Sequence, residues 1–218
     1  MTRYVYLLFI FSFLGQFGLT AQDDGSIAIK NGSFEDLPRK GGDNVLSLRG
    51  WFDCGRVDFP GTTPPDVHPN EFWGNTVPPA QGKTYLGMVV REDETWESVA
   101  QRLDSPMEEG KCYSLSMHLC RSDDYLSATN SSNQNLKSFT EPIILRIWGG
   151  NGYCNQREIL YESEPIDHKE WMIYEFFFEN KYPNRYITLE AYYRTSSLFP
   201  YNGHLLIDDL SDINLEKC

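Results

Sequence analysis

Two segments of this chain place aromatic and charged side chains where they could bind a sugar. The segments 142–149 (PIILRIWG) and 186–194 (YITLEAYYR) alternate apolar residues with larger polar or aromatic ones. Because successive side chains of a β-strand point to opposite faces, the second set points away from the core. Pyranose rings stack on Trp and Tyr, while charged side chains bind the hydroxyls. With the outward histidine of 112–120, the predicted sugar-binding face consists of His118, Arg146, Trp148, Glu190 and Tyr192.

A second candidate sugar site lies at a loop end, where Phe72 and Trp73 could act together with Trp96. Each candidate also has a structural interpretation. Trp73 is surrounded by prolines and could hold a long loop onto the core, and Trp148 precedes Gly149 and could cover a sheet edge. The residues alone do not choose between these alternatives.

Carboxylates near both ends of the chain suggest a cation site. The segment 31–36 (NGSFED) contains Glu35, and the segment 201–215 contains Asp208. The first and last strands of a β-sandwich commonly pair, which would bring these two carboxylates together. Carboxylates that lie so close need a cation, a proton or water between them. The alternative is that they are exposed or bind the backbone of a loop.

Catalytic patterns are weak, so we expect no catalytic residue. The sequence has no G-x-S-x-G nucleophile elbow. A glycosidase pair is not distinguished by spacing among the available carboxylates, which include Glu94, Glu97, Asp123 and Asp124. No two histidines have the i, i+4 spacing of a helical metal site, and the sequence scatters three of them through predicted loops, namely His68, His168 and His204.

The elements that must position these residues are strands. Hydrophobic periodicity is close to two along the chain, and turn residues separate about nine or ten such segments, which predicts an all-β antiparallel sandwich. The proline-rich segment 58–83 is expected to cross one end of the sandwich as a long loop. The segments 171–179 and 186–194 are expected to pair as a hairpin.

The first residues resemble a signal peptide. Arg3 precedes an apolar run that ends at Ala21, so residues 1–21 are predicted to be removed and 22–218 to form a single β-sandwich domain. No later segment could span a membrane. The whole chain carries a formal charge of −12, which argues against nucleic acid as a partner. We therefore expect an exported protein in the periplasm, at the cell surface or in the medium.

Five cysteines in an exported chain predict disulfides with one cysteine left over. If the segments 112–120 and 142–149 are antiparallel neighbours, Cys154 falls near Cys112. The first predicted bridge is then Cys112–Cys154. The second is Cys54–Cys218, because both cysteines could lie near the end of the sandwich where the termini meet, and Cys120 remains unpaired.

Several short motifs, in order, resemble a known family. They are N-G-S-F-E-D, Gly50-Trp51, G-K-T-Y-L-G-M at 82–88, E-x-V-A-Q-x-L at 97–103, E-E-G-K-C-Y-S-L-S at 108–116 and G-x-x-x-I-D-D-L at 203–210. Together they resemble the galactose-binding-like jelly roll, especially the family 4/9 carbohydrate-binding modules of exported Bacteroidetes-type proteins. The resemblance implies a jelly-roll fold and a structural Ca²⁺ with Glu35 and Asp208 as acidic ligands. The segment 121–156 departs from those modules.

These observations predict an exported, non-catalytic carbohydrate-binding-like module whose partner is a glycan or another component of the cell envelope. One alternative is a structural or adhesive envelope protein that uses the fold for protein contacts. A less favoured alternative is a glycan hydrolase. A sugar site requires aromatic side chains beside polar groups in a groove, whereas an adhesive face is broader and flatter.

Overall fold

The computed structural model describes residues 25–41, 48–55, 64–128, 136–194 and 197–218. These residues form thirteen strands and a short 3₁₀ turn at Phe72–Gly74. The strands are β1 (Phe52–Asp53), β2 (Asp66–His68), β3 (Tyr85–Val90), β4 (Ser98–Met107), β5 (Lys111–Arg121), β6 (Leu126–Ala128), β7 (Leu136–Ser138), β8 (Ile143–Gly150), β9 (Glu158–Glu162), β10 (Met172–Asn180), β11 (Asn184–Tyr193), β12 (Gly203–Asp208) and β13 (Asn214–Glu216).

Two antiparallel sheets face each other across the core. The five-stranded sheet has the order β1-β4-β11-β8-β9, and the six-stranded sheet has the order β10-β5-β12-β3-β2, with β13 also paired to β5. Strands β6 and β7 form a separate small hairpin. The predicted fold class, an antiparallel β-sandwich of the jelly-roll type, is confirmed.

The core lies between the sheets and follows the predicted alternation. From β5 it receives Tyr113, Leu115, Met117 and Leu119, and from β8 and β11 it receives Ile143, Leu145, Ile147, Ile187, Leu189 and Ala191. Burying one such aliphatic side chain contributes about 1.5–3 kcal/mol to folding. This apolar core fixes the strand register, because a shift by one residue would turn every one of these side chains to the solvent.

The predicted hairpin of 171–179 and 186–194 is wrong. Strand β10 pairs with β5 and strand β11 pairs with β4 and β8, so the connection between them passes from one sheet to the other. Two buried asparagines stabilise this crossing, since Asn184 Nδ2 donates to Asn180 Oδ1 at 2.7 Å. Two alternating segments joined by a short turn have the same sequence pattern whether they pair as a hairpin or lie in different sheets.

The two ends of the domain meet as expected, although the pairing near the start of the domain is a single bridge at Ile27. Ile27 and Ile213 exchange both backbone hydrogen bonds, at 2.7 and 3.0 Å. The predicted signal peptide lies outside the described residues. No helix in the described part of the chain has the length and apolar character needed to cross a membrane.

The predicted disulfide pairing is wrong, although the four bridged cysteines and the unpaired Cys120 were identified correctly. The bridges are Cys54–Cys154 and Cys112–Cys218, with Cα separations of 5.4 and 5.3 Å. The prediction assumed that β5 and β8 are neighbours. They lie in opposite sheets, so Cys112 meets the chain end that follows β13, and Cys154 meets the residue after β1.

Candidate functional site

The outer face of the five-stranded sheet brings together four of the five residues predicted to bind sugar. Arg146 and Trp148 lie on β8, and Glu190 and Tyr192 lie on the adjacent strand β11. The register places Arg146 directly opposite Glu190. Their outward parity is as the sequence predicted, because the residues between them are buried in the core.

Glu190 is the organising residue of this face. It is 1% exposed, and its carboxylate accepts hydrogen bonds from Trp96 Nε1 and Trp148 Nε1, both at 2.9 Å, and from Gln156 Nε2 at 2.5 Å. The guanidinium of Arg146 lies 4.0 Å away. The buried charge is therefore hydrogen-bonded and paired, as burial requires, and it fixes the orientation of two indole rings.

Arg146 and Tyr192 extend the same platform. Arg146 Nε donates to Glu162 Oε2 at 2.7 Å, and its guanidinium carbon lies 3.5 Å from the centre of the Tyr192 ring. The Trp96 ring meets Tyr192 edge-on, with ring centres 4.9 Å apart. Each side chain is held by at least one neighbour, so the side chains of this surface have fixed orientations.

A groove of about 510 Å³ opens beside this platform. It is lined in part by Trp96, Arg146 and Tyr192, and by the segment after β11. In that segment Leu198 is 89% exposed and Phe199 is 78% exposed. The groove thus combines aromatic faces with polar groups, which is the composition expected of a sugar site.

Three further aromatic residues, which the sequence analysis missed, continue the same sheet face. Phe52, Tyr153 and Tyr186 form a chain of ring contacts, with centres 4.8 and 4.9 Å apart. Tyr186 and Tyr192 share strand β11, where six residues span about 20 Å. The outward parity of Tyr186 was readable from the sequence. The contributions of Phe52 and Tyr153 depend on long-range contacts near the Cys54–Cys154 bridge.

His118 does not belong to this face, so its predicted grouping with Arg146 and Trp148 is wrong. It lies on β5 in the opposite sheet, next to Asp208 in the register, with Nδ1 3.3 Å from Asp209 Oδ2. Parity along a strand identifies one of its two faces, but it does not tell which sheet the strand joins.

The predicted loop-end site is also divided. Trp73 packs 6.0 Å from the ring of Tyr125, under the Lys40 ammonium at 4.7 Å, and belongs to the side of the six-stranded sheet. Trp96 lies on the other side, beside Glu190. Phe72 precedes Trp73 in the 3₁₀ turn and packs 5.9 Å from the ring of His68.

The outer face of the six-stranded sheet is covered over β2, β3 and β12, whereas its edge strand β10 stays exposed. The proline-rich segment, which was expected to cross an end of the sandwich, contains strand β2 and then folds over this face. Val77 packs against Tyr85, Cys120 and Leu206, and Trp171 Nε1 donates to the Pro78 carbonyl at 2.7 Å. Beside it, Tyr125 and Phe139 pack on Val89.

Under this cover lies a cluster that could hold a metal. Asp66, His68 and His204 are all buried, and the described residues contain no other group of three or more such ligands. Burial lowers the pKa of His68 and of His204, so both imidazoles are neutral near pH 7. The cluster has no signal in the sequence, because His68 and His204 are distant in the chain and share no motif.

Glu35 and Asp208 converge on one loop. Glu35 Oε1 accepts the Lys83 N–H at 2.6 Å, and Asp208 Oδ2 accepts the N–H groups of Ala80 and Gln81 at 2.9 and 2.8 Å. Burial raises the pKa of Asp208 to about 6, although these hydrogen bonds oppose the shift. The carboxylates thus bind loop backbone, the alternative considered above, and their role as calcium ligands stays a prediction.

No protein-family model matches the chain, and no curated protein matches it. Solved structures do. A Stig cyclase, Fisc from Fischerella sp. TAU, is 14% identical with a TM-score of 0.52, covering 88% of this chain and 98% of the cyclase. The arabinose-bound MgGH51 α-L-arabinofuranosidase is 9% identical with a TM-score of 0.51, over 90% of this chain and 28% of that one.

A CBM4 structure is also similar, at 12% identity and a TM-score of 0.46, and the match covers 87% of this chain and 100% of the CBM4 chain. At identities of 9–14% the likeness shows the fold alone.

Proposed function

We propose that this protein binds a glycan on the outer face of its five-stranded sheet and does not transform it. The observation that carries the proposal is the platform of Trp96, Arg146, Trp148 and Tyr192, held by the carboxylate of Glu190. Aromatic faces can stack on pyranose rings, and the guanidinium of Arg146 can donate to sugar hydroxyls. The aromatic residues along β11 suit an extended chain of sugars rather than a single ring.

The hydrogen bonds of Glu190 support a binding role over catalysis. Glycoside hydrolysis uses two carboxyl groups that flank the scissile bond. Both oxygens of Glu190 accept hydrogen bonds from indole or amide groups, so this residue orients its neighbours rather than exchanging a proton with a ligand. Among the residues described around the groove, Glu94 is the acid that lines it.

The test is a glycan array and an insoluble-polysaccharide pull-down with the purified protein and two variants. Trp148→Ala is expected to weaken binding at least about tenfold, equivalent to about 1.4 kcal/mol. Trp73→Ala removes an indole from the covered side and should leave binding unchanged. Loss of binding in Trp73→Ala with retention in Trp148→Ala would reject the sheet-face site. Absence of binding to any glycan would reject the function.

The proposal includes export and a structural calcium. Two disulfides suit an oxidising compartment. Calcium prefers carboxylate and carbonyl oxygens, and the convergence of Glu35 and Asp208 on one loop offers such oxygens. The ion would share these carboxylates with the loop N–H groups.

Thermal unfolding tests the calcium. Ca²⁺ should raise the melting temperature of the wild type and should leave that of Asp208→Asn unchanged, because the amide keeps an acceptor for the loop but lacks the charge. Equal responses of the two proteins would exclude Asp208 as a ligand.

Contact with another protein of the envelope is a second candidate function, favoured by the edge strand β10. Its outward residues include Ile173, which is 64% exposed, and Phe177, which is 53% exposed. An edge strand with exposed apolar side chains is a common place for protein contacts. Failure of the glycan tests, with association that Ile173→Lys abolishes, would favour this function.

A further inference from the structure

The cluster of Asp66, His68 and His204 lies on the covered face of the six-stranded sheet. Asp66 and His68 belong to β2, and His204 belongs to β12, with β3 between them. One potential ligand atom from each residue lies within 4.8 Å of the others. The two imidazoles are 0% exposed and Asp66 is 4% exposed.

Both histidines carry an unsatisfied ring nitrogen. His68 Nε2 and His204 Nε2 are buried and have no hydrogen-bond partner among the residues that the structure describes. His68 Nε2 lies 3.9 Å from Asp66 Oδ2, which is too far for a hydrogen bond. A buried polar atom without a partner destabilises the fold, so two in one place call for a common partner.

The strand between the two histidines has a glycine where a side chain would collide with both imidazole rings. A Cβ atom placed on Gly87, in β3, would lie 2.4 Å from His204 Nε2 and 2.9 Å from His68 Cδ2. Both imidazole edges therefore meet directly above this glycine. Next to this point the sheet face is covered by apolar clusters around Val77 and Tyr125, whereas here three ligand-type residues converge.

We propose that Asp66, His68 and His204 bind a divalent transition-metal ion of the zinc type. Two imidazoles and one carboxylate are a common ligand set for Zn²⁺, with bonds of about 2.0–2.2 Å. Tetrahedral ligands at that bond length lie about 3.4 Å apart, so the three atoms approach one another by up to about 1.4 Å when the ion binds. Rotation of the three side chains supplies this movement.

Outer partners hold the ligands. Asp66 Oδ2 accepts the Tyr125 hydroxyl at 2.8 Å, and Oδ1 accepts the Gly41 N–H at 2.5 Å. His204 Nδ1 lies 3.1 Å from Ser122 Oγ, to which it can donate while Nε2 binds the metal. Such contacts orient the ligands of metal sites and select the imidazole tautomer.

Metal binding by His68 requires a change in the neighbouring Asn75. Its Nδ1 lies 3.4 Å from Asn75 Nδ2, and ligation through Nε2 places the ring proton on Nδ1. Asn75 therefore has to turn its amide oxygen towards His68 when the metal is bound. This turn gives up the hydrogen bonds that Nδ2 donates to the Tyr85 hydroxyl and that Oδ1 accepts from the Val77 N–H, and binding of the metal has to offset that loss.

The ion would be structural. The site is closed over by the loops that carry Asn75 and Tyr125, and the ion would join strand β2 to strand β12 beneath this cover. Metal has to enter before the cover closes, which couples binding to folding. This inference does not rest on glycan binding, because the site lies on the opposite side of the sandwich.

The first experiment measures zinc by mass spectrometry in the full chain purified without chelator. We expect about one zinc ion per chain. The protein refolded in the presence of a chelator and then given Zn²⁺ should gain about 5–10 °C in melting temperature at a hundredfold excess over the dissociation constant. Less than about a tenth of an equivalent of zinc, with a melting temperature that Zn²⁺ leaves unchanged, would overturn the proposal and would indicate a bridging water.

Histidine variants test which residues bind the zinc ion. His204→Gln and His68→Gln should lose the zinc, and circular dichroism reports whether each still folds. His168→Gln is the matched control, because its imidazole binds Tyr174 and the Glu170 carbonyl at the surface, and it should keep the zinc. Full zinc content in a folded His204→Gln would overturn the assignment. The wild-type measurement decides the question independently if both variants fail to fold.

Discussion

The outer faces of the two sheets carry similar outward-pointing residues but have opposite environments. On the five-stranded sheet, Arg146, Trp148 and Tyr192 remain partly exposed beside a groove. On the six-stranded sheet, His68 and His204 are 0% exposed beneath loops. The comparison shows that strand alternation determines which side chains leave the core, whereas the connections determine whether they meet solvent.

The buried carboxylates of Glu190 and Glu97 have different partners on the two sides of the sandwich. Glu190 accepts from neutral indole and amide groups and keeps the aromatic platform in place. Glu97 pairs with the buried Arg91 and accepts the Val89 N–H at 3.0 Å. The first arrangement orients a surface, and the second stabilises a polar interior.

The largest effect should come from Arg91→Ala on the covered side. Burial raises the pKa of Glu97 to about 8 although Arg91 opposes the shift, so without the guanidinium Glu97 stays protonated and buried without its partner. Breaking this buried pair should lower the free energy of unfolding by about 3–5 kcal/mol. Lys30→Ala is the control, because its pair with Asp104 is more than half exposed on both sides and should cost at most about 1 kcal/mol. Chemical denaturation measures both, and equal losses would contradict the distinction between the two environments.

Glu190→Ala should affect both stability and binding. It releases the hydrogen bonds of two indoles and leaves Arg146 with one fewer anionic neighbour, so we expect a loss of about 2–3 kcal/mol. Glycan binding should fall with it, because Trp96 and Trp148 lose their orientation. Calorimetry and the pull-down measure the two effects. Unchanged binding in a folded variant would mean that the platform does not need this carboxylate.

Gly87→Ala tests how tightly the covered face is filled. The added methyl group would press on both imidazoles, and overpacking of this kind costs about 1–3 kcal/mol. Gly152→Ala is the control, since its methyl group would meet only the Asn155 Cβ at 4.0 Å. Thermal unfolding compares them. A Gly87→Ala protein as stable as Gly152→Ala would show that the rings can move apart freely.

The alternation of apolar and polar residues within single strands predicted much of the fold. Alternation in 112–120 and 142–149 correctly assigned the core side chains and the outward parity of Arg146 and Trp148, because that information lies within one strand. The same reasoning could not tell that β5 and β8 belong to opposite sheets. This one error explains both the misplacement of His118 and the wrong Cys112–Cys154 bridge.

The buried metal-ligand cluster was beyond sequence reasoning for a different reason. His68 and His204 come together only because β2 and β12 both flank β3, and Gly87 matters only once that order is known. Metal motifs are recognisable when their ligands are close in the chain. Ligands supplied by strands from distant parts of a sheet leave no such spacing.

The smallest predicted effect concerns the edge of the cover. Lys40 Nζ lies 4.7 Å from the Trp73 ring, and a cation above an indole at a partly exposed site contributes about 0.5–1 kcal/mol. Lys40→Met should therefore lower the free energy of unfolding by no more than that, and glycan binding should stay unchanged because Trp73 lies on the opposite sheet from Trp148. Denaturation and the pull-down test both statements. A binding loss in Lys40→Met that matches the loss in Trp148→Ala would break the comparison, since the covered face would then contribute to the same site as the open one.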